Sequence, residues 1–254
     1  MATDGTYWFY YSKDRGLQRA RKEAATGKLE REEVCSPGDL LAVQLLCHKG
    51  LLLVRHKGAP TAPFEVFDKE TLRPVPGRRI RLAEGSDDPT LTLNWTPIQT
   101  RFEKNPARGN RWVLSTPMCS DGSYIYFLLQ YKEALLASKV VRTVCEVYHL
   151  DEDDELHRTK EIVLYKDARM QCFKGRHKVV DREYLMRGSL ACNGKVLVWH
   201  SRSKVHVFSL ETGIRIKKMK VSESELLSSY DPADNYFYHT SHQKANFGLF
   251  RLRL

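Results

Sequence analysis

The sequence predicts an all-β fold in which one antiparallel unit of three to four strands is repeated along the chain. Two observations indicate this fold: a short turn-and-strand phrase returns several times, and a second alternating strand follows each copy at a fairly regular distance. The third observation is a weak helical signal, because residues 17–33 are rich in helix formers but have too few apolar positions for a buried stripe. We interpret that segment as a polar hairpin or a short helix.

The repeated phrase begins with a polar residue and a turn residue, and a strand of alternating aromatic and aliphatic residues follows it. Glycine or asparagine supplies the positive φ of a tight turn, and the period of two is typical of a strand. The copies place the starts of the units near residues 3, 47, 119, 191 and 233. Their turns are Asp4-Gly5, Lys49-Gly50, Asp121-Gly122, Asn193-Gly194 and Asp234-Asn235.

Each unit continues with a second strand, a polar turn and a third, exposed strand. The second strands are predicted at 64–68, 144–150, 205–210 and 248–252. The polar turn contains Glu-Thr at 70–71 and 211–212, and the acidic run 151–155 takes its place in the third unit. The third strands are predicted at 78–82, 160–165 and 214–217.

The uneven spacing of the units predicts two insertions, near 83–117 and 167–188, in a single domain that spans residues 1–254. Insertions of this kind map to the faces of a repeat scaffold, where partners bind. The last unit ends after its second strand. We therefore expect either an irregular or incomplete ring of units, or a piece of a longer protein.

Four-stranded units of about 40 to 50 residues are typical of a β-propeller. The phrases at 120–126 and 207–213 resemble the first and second strands of degenerate WD40-like and kelch-like blades. Residues 3–17 are similar to propeller segments of very large HECT-type ubiquitin ligases. This resemblance implies a β-propeller scaffold that mediates protein–protein interaction, with substrate or subunit docking in a larger ubiquitin-ligase-type protein.

The formal net charge of +10, with a pI of about 9.3, indicates a surface that attracts polyanions. No apolar segment follows Met1, and no stretch approaches the ~20 apolar residues that span a bilayer, so we expect no membrane association and a location in the cytoplasm or nucleus. The six cysteines are far apart and form no zinc-type spacing. We expect them to be reduced, and we expect Cys47, Cys119 and Cys192 to pack beside a neighbouring blade.

The candidate partner-binding residues are basic and cluster in three places: Arg78, Arg79 and Arg81; Lys174, Arg176 and Lys178; and Arg215, Lys217 and Lys218. Charged residues on edge strands also suppress edge-to-edge pairing, which is a sufficient structural reason for them. The alternative function is a basic module that binds a polyanion such as nucleic acid, in which the clusters contact phosphates.

The sequence contains no G-x-S-x-G, H-E-x-x-H, P-loop or G-x-G-x-x-G motif, so it predicts no catalytic residues and no enzyme. His239 and His242 would lie on opposite faces of a strand, and the acidic run 151–155 lacks the calcium-loop pattern. We therefore expect no metal and no cofactor. The predicted function is a non-catalytic interaction scaffold with an unidentified protein partner.

Overall fold

The structure is a computed structural model that describes residues 1–12, 16–22, 29–35, 42–56, 64–83, 118–132, 140–165, 188–201, 204–221, 225–241 and 248–252. Within these ranges the chain forms strands and no helix. The strands are arranged as consecutive antiparallel groups, which confirms the predicted all-β, irregular β-propeller fold. We call the groups blades 1 to 5.

Blade 1 contains β1 (Ala2–Thr3), β2 (Tyr7–Ser12), β3 (Gly16–Lys22) and β4 (Leu29–Cys35). Blade 2 contains β5 (Ala42–His48), β6 (Leu51–His56), β7 (Phe64–Phe67) and β8 (Pro74–Leu82). Blade 3 contains β9 (Met118–Ser120), β10 (Ile125–Lys132), β11 (Val140–Leu150) and β12 (Glu155–Val163). Blade 4 contains β13 (Gly188–Cys192), β14 (Val196–Ser201), β15 (Lys204–Ser209) and β16 (Arg215–Lys220). Blade 5 contains β17 (Glu225–Asp231), β18 (Tyr236–Ser241) and β19 (Gly248–Leu252).

The first strands of the blades form a closed ring of contacts. β1 contacts β5, β5 contacts β9, β9 contacts β13, β13 contacts β17, and β17 returns to β1. The strand after the Asp121-Gly122 turn was predicted to be the first strand of its blade, and this prediction was wrong. The innermost strands precede the turns, and β1 and β9 are too short for an alternation of period two to be recognised.

The outer strands of two pairs of blades are joined by short parallel pairings. β8 and β12 pair through Glu155 with Arg81 and Leu156 with Leu82, which fuses blades 2 and 3 into one sheet. A parallel bridge between Tyr165 and Ile214 joins the end of blade 3 to the start of β16. These pairings connect neighbouring blades at their outer rims.

Hydrophobic clusters fill the spaces between consecutive blades, because both faces of each sheet are covered by a neighbour. Members include Phe9 and Phe67 between blades 1 and 2, Phe64 and Tyr148 between blades 2 and 3, Tyr126 and Trp199 between blades 3 and 4, and Val207 and Phe237 between blades 4 and 5. Between blades 5 and 1, Trp8 packs edge-on against Tyr238, with ring centroids 5.4 Å apart. Each large side chain that is fully buried contributes about 1.5–3 kcal/mol.

The two predicted insertions, near 83–117 and 167–188, lie almost entirely outside the described residues. Residues 17–33 include β3 and the start of β4, so the polar hairpin is the correct one of the two alternatives for this segment. The assignment of residues 1–254 to a single domain stays a prediction.

Candidate functional site

The turns that join the first to the second strand of a blade, and the third to the fourth, meet on one face of the molecule. The ammonium of Lys49 donates a hydrogen bond to the backbone oxygen of Leu150 in the next blade (2.7 Å). A Cβ atom on Gly5 would lie 3.2 Å from the Cβ of Ala233. We call this surface the turn face, and it comprises residues 4–7, 49–50, 68–73, 121–124, 151–154, 193–195, 210–214 and 232–236.

Side-chain oxygens of aspartate and asparagine hold the corners of the turn face. Oδ1 of Asp4 accepts hydrogen bonds from the amides of Thr6 (3.0 Å) and Tyr7 (2.8 Å). Asp121 and Asn193 accept two amide hydrogen bonds in the same way. Such Asx turns stabilise the tight corner locally, which is why this residue type recurs before the glycine.

The second carboxylate oxygen of these aspartates links neighbouring parts of the face. Lys69 of blade 2 donates to Oδ2 of Asp4 (2.5 Å), and Tyr126 donates to Oδ2 of Asp121 (2.7 Å). Burial would raise the pKa of Asp4, but the hydrogen bonds from Lys69 and from the backbone amides hold that pKa below its usual value. The corners are therefore fixed both by local hydrogen bonds and by contacts between blades.

Lys22 closes the ring between blades 1 and 5. Its ammonium lies 2.9 Å from the carboxylate of Asp231 and 2.9 Å from the hydroxyl of Tyr238, and it also pairs with Asp234. Burial alone would lower the pKa of Lys22, and the hydrogen bonds to Asp234, Tyr238 and Asp231 raise it instead. The lysine therefore stays charged between two carboxylates.

Exposed tyrosines stand on the turn face beside cationic or imidazole groups. Tyr124 is 40% exposed and lies edge-on to His149, with ring centroids 6.3 Å apart. Tyr236 is 42% exposed, and the guanidinium of Arg251 covers its ring at 4.3 Å. Neither tyrosine was predicted from the sequence. The available signal was their position directly after a turn, where a bulky aromatic residue has no strand neighbour to cover it.

The turn face is acidic although the whole chain is basic. Within the described turns, acidic side chains outnumber basic ones, and the most exposed of them are Asp68, Glu70, Glu152, Asp153 and Glu211. The positive charge therefore lies elsewhere, including the outer strands β8 and β16. This separation makes the turn face unfavourable for polyanions and favourable for basic groups.

A cavity of about 220 Å³ lies at the centre of the ring and is lined by the first strands of all the blades. At its wall, Nδ1 of the buried His48 is 2.8 Å from the hydroxyl oxygen of Ser120. Burial, assisted by the neighbouring Lys49, lowers the pKa of His48 to about 4, so the imidazole is neutral near pH 7. Its Nε2 is buried and has no hydrogen-bond partner among the described residues.

The cysteines whose side chains are described are free thiols packed against apolar groups. Cys119, Cys145 and Cys192 belong to the cluster between blades 3 and 4, and Cys47 packs between blades 1 and 2. Burial raises the pKa of Cys47, Cys119 and Cys145. A thiol with a raised pKa is a poor nucleophile at neutral pH.

In the part of the chain that the structure describes, one group of side chains has a spacing that could hold a metal ion: Asp151, Glu155 and His157, whose ligand atoms lie within 4.8 Å of one another. Nε2 of His157 lies 2.7 Å from Oδ2 of Asp151. The other carboxylate oxygen of Asp151 accepts hydrogen bonds from the amides of Asp153 and Glu155. These contacts stabilise the β11–β12 turn by themselves.

Two of the predicted basic residues of blade 2, Arg78 and Arg79, form ion pairs inside the molecule. Nε and Nη2 of Arg78 donate to the two carboxylate oxygens of Asp154 at 2.6 and 2.9 Å. Arg79 lies 3.4 Å from the carboxylate of Glu65, and the amide of Arg81 donates to the backbone oxygen of Asp154. These residues lie on β8, and Arg78 and Arg81 contact Asp154 at the border of the turn face.

The predicted basic residues of blade 4 all lie on β16, and the register of the β15–β16 ladder places them on two faces of the sheet. Lys217 is opposite Val207, Lys218 is opposite His206, and Arg215 is opposite Phe208. Because Val207 packs toward blade 5 and Phe208 toward blade 3, Lys217 and Lys218 project from opposite faces of the strand. Lys174, Arg176 and Lys178 lie outside the described residues.

No protein-family model matches the chain, and no curated protein matches it. Solved structures similar to it include a putative 6-phosphogluconolactonase from Bacteroides uniformis, with TM-score 0.37 and 13% identity over 87% of this chain and 53% of that chain. Hydrazine synthase from Kuenenia stuttgartiensis has TM-score 0.40 and 12% identity over 99% and 70% of the two chains. Hsv2 from Kluyveromyces lactis has TM-score 0.36 and 9% identity over 99% and 60%. The chain thus spans about half the length of the Bacteroides uniformis protein.

The prediction that the chain is not an enzyme was wrong, because it treated the absence of motifs as an exclusion. The Bacteroides uniformis protein, which resembles this chain, is described as a putative 6-phosphogluconolactonase. On a propeller, reactive side chains come from loops of different blades, so their spacing along the sequence need not form a recognisable motif. At this level of identity the likeness concerns the fold and assigns no reaction to this chain.

Within the described residues, no helix is long and apolar enough to cross a membrane.

Proposed function

We propose that the chain is a β-propeller interaction module whose turn face binds a protein partner. The observation that supports this most directly is the pair of exposed tyrosines, Tyr124 and Tyr236, on a face whose corners are held by hydrogen bonds. Tyrosine and arginine are the residues most enriched at the energetic centres of protein interfaces. A rigid aromatic side chain also loses little conformational entropy on binding.

The charge of the turn face supports a partner with basic residues around an apolar or aromatic contact. Glu70, Glu152 and Glu211 belong to the turns before the fourth strands of three consecutive blades. Rim charges of this kind act mainly on the association rate and on the choice of partner. Substrate or subunit docking in a very large HECT-type ubiquitin ligase is the finer form of this proposal, and it rests on the likeness of residues 3–17.

The test begins with affinity capture by the intact chain, followed by reconstitution with the purified partner and calorimetric measurement of the dissociation constant. Replacing both tyrosines, as Y124A/Y236A, should weaken binding by at least about tenfold. The matched control is R79A, an exposed change on β8 outside the turn face, which should leave the affinity within about twofold. Unchanged binding by Y124A/Y236A would show that the turn face is not the binding site. Capture of ubiquitin-conjugating enzymes or ligase substrates would support docking in a ubiquitin ligase.

A further inference from the structure

The central cavity opens onto the turn face. The first strands β1, β5, β9, β13 and β17 all run toward that face, because each of them ends where a turn of the face begins. The exposed turn residues Lys49, Gly50 and Gly122 line the cavity together with residues of these strands. A partner that binds the turn face therefore lies over the mouth of the cavity.

The deeper wall of the cavity is apolar. It is formed by buried residues of the first strands, each three or four positions before the turn of its blade: Leu45, Leu46, Met118 and Leu190. By the rise of a β-strand, these positions lie about 10 Å along the strand from the turn. The cavity thus has a polar mouth and an apolar floor.

The polar side chains of the wall already have partners within the molecule. The hydroxyl of Thr3 donates a hydrogen bond to the backbone oxygen of Tyr7 (2.8 Å). The hydroxyl oxygen of Ser120 accepts one from the amide of Gly122 (2.9 Å), and it also contacts Nδ1 of His48. Nε2 of His48 has no partner among the described residues, but it is itself buried. An apolar occupant therefore costs the wall no hydrogen bond, whereas a polar occupant would exchange its contacts with water for few new ones.

The volume of the cavity matches one large side chain. An apolar cavity of about 150 Å³ holds a benzene ring. The 220 Å³ available here hold such a ring together with the methylene that attaches it to a backbone. Pockets for drug-sized ligands are larger, at about 300–1,000 Å³. An aromatic side chain inserted into a pocket is also the kind of contact that dominates the energy of a protein interface.

The charge around the mouth favours basic residues beside that ring. The carboxylates of Asp4 and Asp121 stand at the mouth, and acidic side chains outnumber basic ones in the described turns. The ammonium of Lys49 is directed to blade 3 by its hydrogen bond to the backbone oxygen of Leu150. A lysine or arginine next to the inserted residue is therefore attracted, and a glutamate in its place is repelled.

From these observations we infer that the central cavity is an anchor pocket for one phenylalanine side chain of the protein partner, flanked in that partner by lysine or arginine. The cavity opens onto the turn face, so this role rests on the proposed function. A tyrosine or histidine in the same place binds more weakly, because its polar atom loses water and finds no partner on the apolar floor.

The probe is the tripeptide acetyl-lysyl-phenylalanyl-lysine amide, titrated into the intact chain with ¹³C-labelled methionine methyl groups. The methyl signal of Met118 on the floor should shift and saturate, whereas that of Met219 on β16 should not move. The same peptide with alanine in place of phenylalanine should leave Met118 unshifted. Glutamates in place of the lysines should weaken binding by at least about threefold at low salt, and this difference should shrink at high salt.

The variant S229F tests the position of the pocket, because Ser229 lines the cavity and is only partly buried. The added ring occupies the space of the ligand, so the tripeptide should bind at least about tenfold more weakly. S229A removes the hydroxyl and leaves the space, and S123F places the same ring at an exposed position of the turn face outside the cavity lining. Both controls should keep the affinity within about twofold. Thermal unfolding verifies that each variant is folded.

Four results would each overturn the anchor pocket: an unshifted Met118, equal shifts of Met118 and Met219, equal binding of the alanine peptide, or undiminished binding by folded S229F. With the purified partner, S229F should weaken binding as Y124A/Y236A does. If Y124A/Y236A weakens that binding and S229F does not, the turn face is the site and the anchor pocket is wrong. If neither variant weakens it, the proposed function itself is wrong.

Discussion

The ammonium of Lys22 on β3 lies 2.9 Å from the carboxylate of Asp231, a residue with no exposed surface at the end of β17. This contact joins the third strand of blade 1 to the innermost strand of blade 5. Together with the Trp8–Tyr238 contact, it fastens the two ends of the described ring.

Replacing Lys22 by methionine should destabilise the protein by about 3 kcal/mol, because the buried carboxylate of Asp231 would lose its counter-charge. Chemical denaturation gives the free energy of unfolding. The neighbouring Arg21, whose side chain is 58% exposed, supplies the control R21M, which should cost less than about 1 kcal/mol. The double variant K22M/D231N should recover part of the loss, and a K22M protein as stable as the wild type would contradict the role of the pair.

Gly213 should tolerate no larger residue. Its φ is +71°, and a Cβ atom there would lie 2.0 Å from the backbone oxygen of Val163, so the outer contact between blades 3 and 4 would have to open. We expect G213A to destabilise the fold by about 3 kcal/mol or more. Gly122 has a similar φ of +90° with open space around it, so G122A measures the cost of the backbone conformation alone, about 1–2 kcal/mol. Equal losses in the two variants would show that the crowding at Gly213 has no effect.

The stability should fall between pH 6.5 and pH 4 because of His48. Its pKa is about 4 in the folded protein and 6.5 in the unfolded chain, so as the pH falls the unfolded state binds the proton first. The loss approaches about 3 kcal/mol at pH 4, and it is absent above pH 6.5. Lys49, His149 and Asp121 are the charged or titratable groups that act on this imidazole.

Urea denaturation at a series of pH values tests this dependence. The variant H48Q, which removes this imidazole, should flatten the curve between pH 6.5 and 4. A curve for H48Q as steep as that of the wild type would assign the pH dependence to other groups.

The packed cysteines should be unreactive in the native protein. In a C35S/C172S background only Cys47, Cys119, Cys145 and Cys192 remain, and burial raises the pKa of three of them. Ellman's reagent should modify them at least about a hundredfold more slowly in buffer than in denaturant. Rapid modification of one thiol without denaturant would show that it lies at an accessible site.

The repeated turn residues were sufficient to predict the strands that follow them, because an Asx corner and a period of two are local properties of the sequence. The innermost strands were missed, since β9 is only three residues long and its burial comes from the neighbouring blades rather than from its own pattern. The pairing of Lys22 with Asp231 could likewise not be predicted from the sequence, because it forms only when the ring of blades closes. Arg78 was predicted to be a cation that binds a partner. Its ion-pair partner, Asp154, belongs to another blade and is brought close by the β8–β12 pairing.

The candidate site was predictable only in part. The basic residues of β16 were recognised from composition, but the bulge in the β15–β16 ladder, which places Arg215 and Lys217 on opposite faces, could not be read from the sequence. Tyr124 and Tyr236 were absent from the prediction because exposure depends on what covers a side chain, and that is a property of the assembled turn face.

Lys22 and Asp231 are separated by 209 positions in the chain, and this separation has a consequence for how the molecule reaches its native state. Closure of the ring is a long-range event that must follow the synthesis of almost the whole chain. Until β17 and β18 have been synthesised, Tyr238 cannot cover the ring of Trp8 in blade 1, so the nascent chain exposes an aromatic surface. During the time from the first blade to the last, aggregation therefore competes with folding.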